Sequence, residues 1–272
     1  MNRPVLYVLA GALIAVGAFV YYINRPTEPQ ASQVVETPAP PPAPAPAPAA
    51  PTIRHPVETP PPAEPGTPAL APLDRSDEHV RSLLLGWFGK DTVMRFLQLD
   101  NFIRHAVATV DNLGRAHAAP RLWPVNPTPA RFDVVQRGDI TVVSPDNASR
   151  YAPLIAFIES IDTERAVALY RRWYPWFQQA YEELGYPGRY FNDRLVDVID
   201  LLLAAPVPAE PLEVRLTEVK GPVPSTQPWT RYEFADPALE SLTAGQKMMI
   251  RVGPTQQRRL QLKLTELRGR VA

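Results

Sequence analysis

Residues 26–72 hold half of the 34 prolines in the chain, with "PAPPPAPAPAPAAP" at their centre and almost no large apolar side chain. Proline fixes φ and removes a backbone donor, so such a stretch makes neither helix nor ladder and favours extended polyproline II. The tract therefore cuts the 272-residue chain into three parts. At about 3.1 Å per residue its reach is bounded near ~140 Å. Its PxxP matches also fit an SH3-type ligand, but a semi-rigid, disordered tether accounts for the whole stretch and is the preferred reading.

Before the tether, the run from Val5 to Ile23 is free of charge, amide and proline for 19 residues. At helical rise that length crosses a hydrocarbon layer of about 30 Å. Tyr21 and Tyr22 stand where interfacial aromatics are favoured. Ala15 and Gly17 mimic a cleavage site, yet Phe19, Val20 and Tyr21 continue the apolar run past it, so residues 1–25 are expected to be an uncleaved transmembrane signal anchor. A very short N-terminal tail carrying Arg3 places the rest of the chain on the periplasmic side of a Gram-negative inner membrane. Gly11 and Ala15 form a small-xxx-small pair, a pattern common by chance.

After the tether, residues 73–272 have globular composition and the length of one domain. "SDEHVRSLLLGWF" puts Val80, Leu83, Leu84, Trp87 and Phe88 on one helical face, with Ser76 and Asp77 as caps. Beyond Gly89 a second amphipathic segment runs to Leu113, with Gly114 suited to a left-handed helix end, so the pair reads as a helical hairpin. "RFDVVQRGDITVV" alternates about Arg137-Gly138-Asp139 as a β-hairpin does, and "LEVRLTEV" and "TRYEF" alternate likewise. Helices are expected at 151–160, 163–184 and 193–205, and again after the Asp236-Pro237 cap, with breaks near Gly245 and Gly253-Pro254. The fold expected is a mostly helical α+β domain with a small β-hairpin or sheet.

The stretches "FIRHAVATVDNLG", "ALYRRWYPWFQQAYEELGYPGRYFNDRLVDVIDLLLAAP" and "YEFADPALESLTAGQKMMIRVGP" together resemble a family of bacterial membrane-anchored envelope proteins defined only as a domain of unknown function. The resemblance runs from about Leu73 to Leu267. It implies the order span, proline-rich tether, domain, and it implies no catalytic residue, cofactor or partner. Gly114 departs from it, since proline is common after "VDNL" in that pattern.

The richest candidate site is "WYPWFQQAYEELGYPGRYFNDR", with eight aromatic rings. Trp173, Trp176, Phe177 and Tyr181 share one helical stripe, the geometry of a core, while Pro175 removes a helical bond to Arg171 and bends the chain as a groove-lining helix would. Two readings stand: a core, or a partner or ligand groove formed by Trp173, Tyr174, Trp176, Arg189, Tyr190, Asp193, Asp197 and Asp200. The three aspartates crowd one face of the following helix. They either hold a cation or basic partner, or are paired by arginines such as Arg171, Arg189 or Arg194.

Catalytic signatures are missing. His55, His79, His105 and His117 are scattered, no phosphate-binding or nucleophile-elbow motif occurs, and no cysteine is present. Neither a catalytic, cofactor-binding nor metal site is expected; a glycan-cleaving role for Glu182, Glu183 or Asp193 is the weaker alternative. Zero formal net charge argues against nucleic acid. Residues 246–272 carry seven cations against Glu266, a net +6, on a segment with leucines at helical spacing. That segment either packs on the domain, pairing acids elsewhere, or docks on anionic lipid. The span has no Ser or His handle of the kind TonB-type transducers share, which speaks against proton-driven work. The expected function is a non-catalytic domain presented to an envelope protein or peptidoglycan, with glycan binding or cleavage as the alternative.

Overall fold

The computed structural model describes residues 52–58, 70–208, 211–217 and 230–272. The apolar run 5–23 and most of the proline tract lie outside the described residues, among which no helix is long and apolar enough to cross a membrane.

Packing of the head begins at Leu70 and at a 3₁₀ turn, Leu73–Arg75. Helix α1 (Ser76–Phe88) ends at Gly89, whose φ of 77° only glycine adopts without strain. The second arm of the expected hairpin is two helices, α2 (Lys90–Phe96) and α3 (Phe102–Leu113), parted where Asn101 turns left-handed at φ 53°. Asp77 explains the break. Rather than capping its own helix, its carboxylate accepts the backbone N–H groups of Asn101 at 2.7 Å and Phe102 at 3.2 Å, so it caps the start of α3.

Strands β1 (Val134–Arg137) and β2 (Ile140–Val143) form the expected hairpin, and β3 (Val214–Leu216) pairs antiparallel with β4 (Tyr232–Phe234). A single bridge, Val142 to Glu213, joins the two ladders. Between them run α4 (Asn147–Ser160), α5 (Thr163–Glu183) and α6 (Phe191–Leu203). Asp162 caps α5 by accepting from Arg165 N–H at 2.7 Å. Pro175 lies inside α5 without ending it.

The chain finishes with α7 (Pro237–Glu240), α8 (Ala244–Arg251) and α9 (Pro254–Val271). Asp236 caps α7 as its sequence suggests, and Thr243 with Gln246 forms a capping box for α8. The break expected near Gly245 falls over residues 241–243, and Gly245 itself sits inside α8. A Cβ there would lie 2.6 Å from Leu202 Cδ2 and 2.9 Å from the Leu113 carbonyl, so this glycine lets three helices meet.

The main core joins α1, α3 and α5 through Val80, Leu84, Ile103, Val107, Trp173, Trp176 and Tyr181. Helix α9 packs against α4, α5 and α6. Its cations meet acids of those helices: Arg259 pairs with Glu159, Arg268 with Asp200, and Arg270 with Glu164 at 2.8 Å. The basic C-terminal segment is thus a packed helix whose charges answer an acidic surface of its own domain. The architecture is mostly helical with two small antiparallel ladders, the α+β arrangement expected.

Candidate functional site

The aromatic stripe of α5 divides into a buried and a rim part. Trp173 and Trp176 are 2% and 3% exposed, so their place among the groove candidates is corrected: both belong to the core. Trp176 donates its indole N–H to the Ala71 carbonyl at 2.7 Å, and His79 lies edge-on to both rings. Trp173 also lines an apolar cleft of about 200 Å³ with Trp87, Phe88 and Phe157. Only Tyr170 and the indoles of Trp87 and Trp173 among its lining residues carry a polar side-chain atom, and the Tyr170 hydroxyl is spent on Asn192 at 2.9 Å. A sugar ring needs several convergent hydrogen-bonding groups beside its stacking face. This cleft does not offer them.

The rim part sits where α5 meets the N-terminus of α6. That helix begins at Phe191, two residues earlier than its sequence suggests, because α5 satisfies its first donors: Gln178 Oε1 accepts Phe191 N–H at 2.9 Å and the Tyr174 hydroxyl accepts Asn192 N–H at 3.3 Å. Gln178 also donates to the Arg189 carbonyl at 2.7 Å, so exposed Arg189 contributes its backbone to the turn. Burial raises the Tyr170 and Tyr174 phenols far above their ordinary range, with Tyr190 adding to both shifts. Both rings therefore work as neutral hydrogen-bonding groups.

This rim is occupied by the tether. Residues 52–58, which composition assigns to a free spacer, lie against α6 more than 130 positions away in sequence. Asp193 accepts the backbone N–H of His55 at 2.8 Å and that of Arg54 at 3.1 Å. The Arg54 guanidinium meets Asp197 at 2.8 Å, and this hydrogen bond, with the attraction of the same carboxylate, raises its pKa. Asn192 Nδ2 donates to the His55 carbonyl at 2.9 Å, and the Tyr190 hydroxyl accepts the Val57 N–H at 2.8 Å. Pro56 falls between the two donors and needs no acceptor.

Asn192, fully buried, is the centre of this clasp. Its amide donates also to the Val271 carbonyl at 2.7 Å, and its oxygen accepts from Tyr170, so one side chain ties the tether to α9 and α5. Sequence reasoning passed it over, since an asparagine at a helix start usually reads as a cap.

The three aspartates do not converge. Asp193 and Asp197 serve the tether, whereas Asp200 is bound by Arg268 of α9, whose hydrogen bond lowers the Asp200 pKa. The arginines first matched to them are engaged otherwise: Arg194 turns to Asp111, and Arg171 donates to the Arg270 carbonyl at 3.3 Å. Among the described residues no group of three or more His, Asp or Glu is placed to hold a metal ion.

No side chain of residues 52–58 belongs to a core cluster, and Ile53 is half exposed. The segment is held by its backbone and one arginine, as a peptide ligand is.

A second acidic centre escaped the sequence reading. Asp111 on α3 is 2% exposed and accepts from Arg194 Nε at 3.1 Å, Arg115 Nη2 at 2.5 Å and the Tyr186 hydroxyl at 3.2 Å. Attraction to Asp111 raises the Arg115 pKa. The signal was there: Ile103, Val107 and Asp111 follow one another at a spacing of four, an acid on an apolar stripe. Gly114 belongs to the same network. At φ −80° it is not the left-handed end expected, but a Cβ would lie 2.7 Å from Arg194 Nη2, so its bareness admits the arginine.

Residues 102–268 match the family model described as "Protein of unknown function (DUF3014)". The match begins at α3, not at Leu73, and takes in Asp111 and the whole α6 wall of the clasp, while the tether segment lies outside it. No curated protein and no solved structure matches the chain.

Proposed function

The chain belongs to this family of unknown function, and from that premise we propose that it is a non-catalytic interaction protein, anchored in the inner membrane through Val5 to Ile23 and presenting its helical head to an envelope partner in the periplasm. Support for the anchor is the 19-residue apolar run. Support for interaction is the clasp, a surface whose acceptors and donors are matched to the backbone of a chain that bends at Arg54 and His55. Tethering raises the local concentration of such a head near its target, a gain a freely diffusing enzyme does not need. A protein segment fits the rim better than glycan, because the tryptophans that would stack on sugar are spent in the core and the apolar cleft lacks polar partners.

The chain has no cysteine, so one introduced at exposed Leu262 reports topology without background. In cells with a permeabilised outer membrane, a membrane-impermeant maleimide is expected to label Leu262→Cys before the inner membrane is broken. Labelling only after lysis, or mature protein starting beyond residue 23, overturns the proposal.

A further inference from the structure

We infer that the rim formed by Tyr190, Asn192, Asp193 and Asp197 is a receptor for a bent basic peptide of the pattern Arg-x-Pro carried by another protein, and that residues 54–57 are its built-in competitor. The inference rests on the reading of the head as an interaction module and names the ligand class of that module.

Recognition here is directed at main-chain atoms. Asp193 takes two successive N–H groups, Asn192 gives one hydrogen to a carbonyl, and Tyr190 takes the next available N–H, the one after proline. Any L-peptide bent as Arg54 and His55 are presents those atoms at the same spacing, so the three contacts fix conformation rather than identity. Identity enters at two places. Asp197 selects a cation at the first position, and a proline at the third removes a donor between the two acceptors.

Vacancy is the unfavourable state of this rim. Asp200 is satisfied by Arg268 and Asp111 by Arg194, but the contacts of Asp193 and Asp197 come from the tether. Departure of the segment strips Asp193 of two donors, Asp197 of its cation and the fully buried Asn192 of one acceptor. Water replaces the tether at the exposed Asp197 carboxylate, so the cost of vacancy falls chiefly on the buried Asn192 amide, and that cost favours replacement of one occupant by another over simple opening. An attached segment acts at an effective concentration of millimolar order, so a partner competes only when its own segment is tethered nearby or binds more tightly. The partner therefore displaces the tether, and displacement frees residues 54–57 from the head.

The test uses the full chain in detergent and a fluorescein-labelled peptide of sequence TIRHPVE, residues 52–58. His55→Pro with Val57→Pro removes two of the donors that hold the attached segment, at positions outside the head. Fluorescence polarisation is expected to show saturable binding to this variant at least ~10-fold tighter than to the wild type, where the attached copy competes. Adding Asp193→Asn and Asp197→Asn is expected to abolish it. A probe with glutamate at the arginine position is expected to bind at least ~10-fold more weakly, and that arm involves no change to the head.

Equal affinity for wild type and proline variant, binding that survives the two aspartate substitutions, or no binding to the proline variant each overturns the inference. Trypsin cleavage after Arg54 measures clasp opening independently. Faster cleavage in a Val57→Pro single variant, whose Arg54–His55 bond trypsin still cuts, together with no probe binding to the double variant, leaves residues 54–57 as a strap only and sinks the receptor, while the topology experiment still decides the anchored-head reading by itself.

Discussion

Two sets of aspartates on adjoining helices use the same chemistry at opposite depths. Asp111 is 2% exposed and held by two arginines and a tyrosine, all from the head itself. Asp193 and Asp197 stand at the rim, and their donors come from a segment that forms no part of the core. A buried carboxylate with fixed partners tolerates no exchange, because any loss leaves charge stranded in low dielectric. A rim carboxylate partnered by an attached segment tolerates exchange, since water and other peptides reach it. Depth therefore separates what holds the head together from what the head can bind.

The largest effect is expected at the buried centre. Asp111→Ala leaves Arg194 and Arg115 facing one another without their acid and should lower stability by about 3 kcal/mol or more in urea unfolding. A loss below ~1 kcal/mol would mean the network is far wetter than its burial suggests.

Asn192 lies between the two regimes. Asn192→Ala removes the partner of the Tyr170 hydroxyl and of the Val271 and His55 carbonyls, and should cost about 1–3 kcal/mol while also speeding trypsin cleavage after Arg54. If stability drops and cleavage stays unchanged, the clasp does not depend on its buried amide.

pH separates the depths in a different way. Burial raises the Tyr170 phenol, so the folded chain keeps a proton that the unfolded chain releases near pH 10. That contribution is complete below pH 10 and should fall by about 1.4 kcal/mol per unit above it. Asp200 behaves oppositely. Its pKa is lowered by the hydrogen bond from Arg268, so its contribution is present above the ordinary carboxylate range and is lost as pH falls through the folded pKa. Unfolding followed from pH 7 upward and downward checks both signs.

The smallest expected change in stability comes from the rim. Asp193→Ala should shift the urea midpoint by the equivalent of less than ~1 kcal/mol, yet trypsin should cut after Arg54 about tenfold faster, since the bonds lost are those of the clasp. A large stability loss with unchanged cleavage would reverse the assignment of depth.

Much of the head was legible because its signals are local. The stripe of Trp173, Trp176 and Tyr181 marked the core of α5, the Arg137-Gly138-Asp139 turn marked the hairpin, and Asp236 marked the start of α7. Where local reading failed, a distant group had taken over. Asp77 caps α3 instead of α1, and Gly114 makes room for Arg194 instead of turning left-handed. Of the two readings of the basic C-terminal segment, packing is the one observed, with cations of α9 on acids of α4, α5 and α6.

Periodicity and proline content by themselves determined an apolar run before a proline tract, and after it a helical head with two short ladders, because those properties depend on neighbours a few residues apart. Only the tertiary structure decided which carboxylates are spent inside and which face the rim, and that the rim holds residues 54–57. Those contacts join positions more than 130 residues apart, and no local spacing of side chains encodes which distant donor a carboxylate will meet.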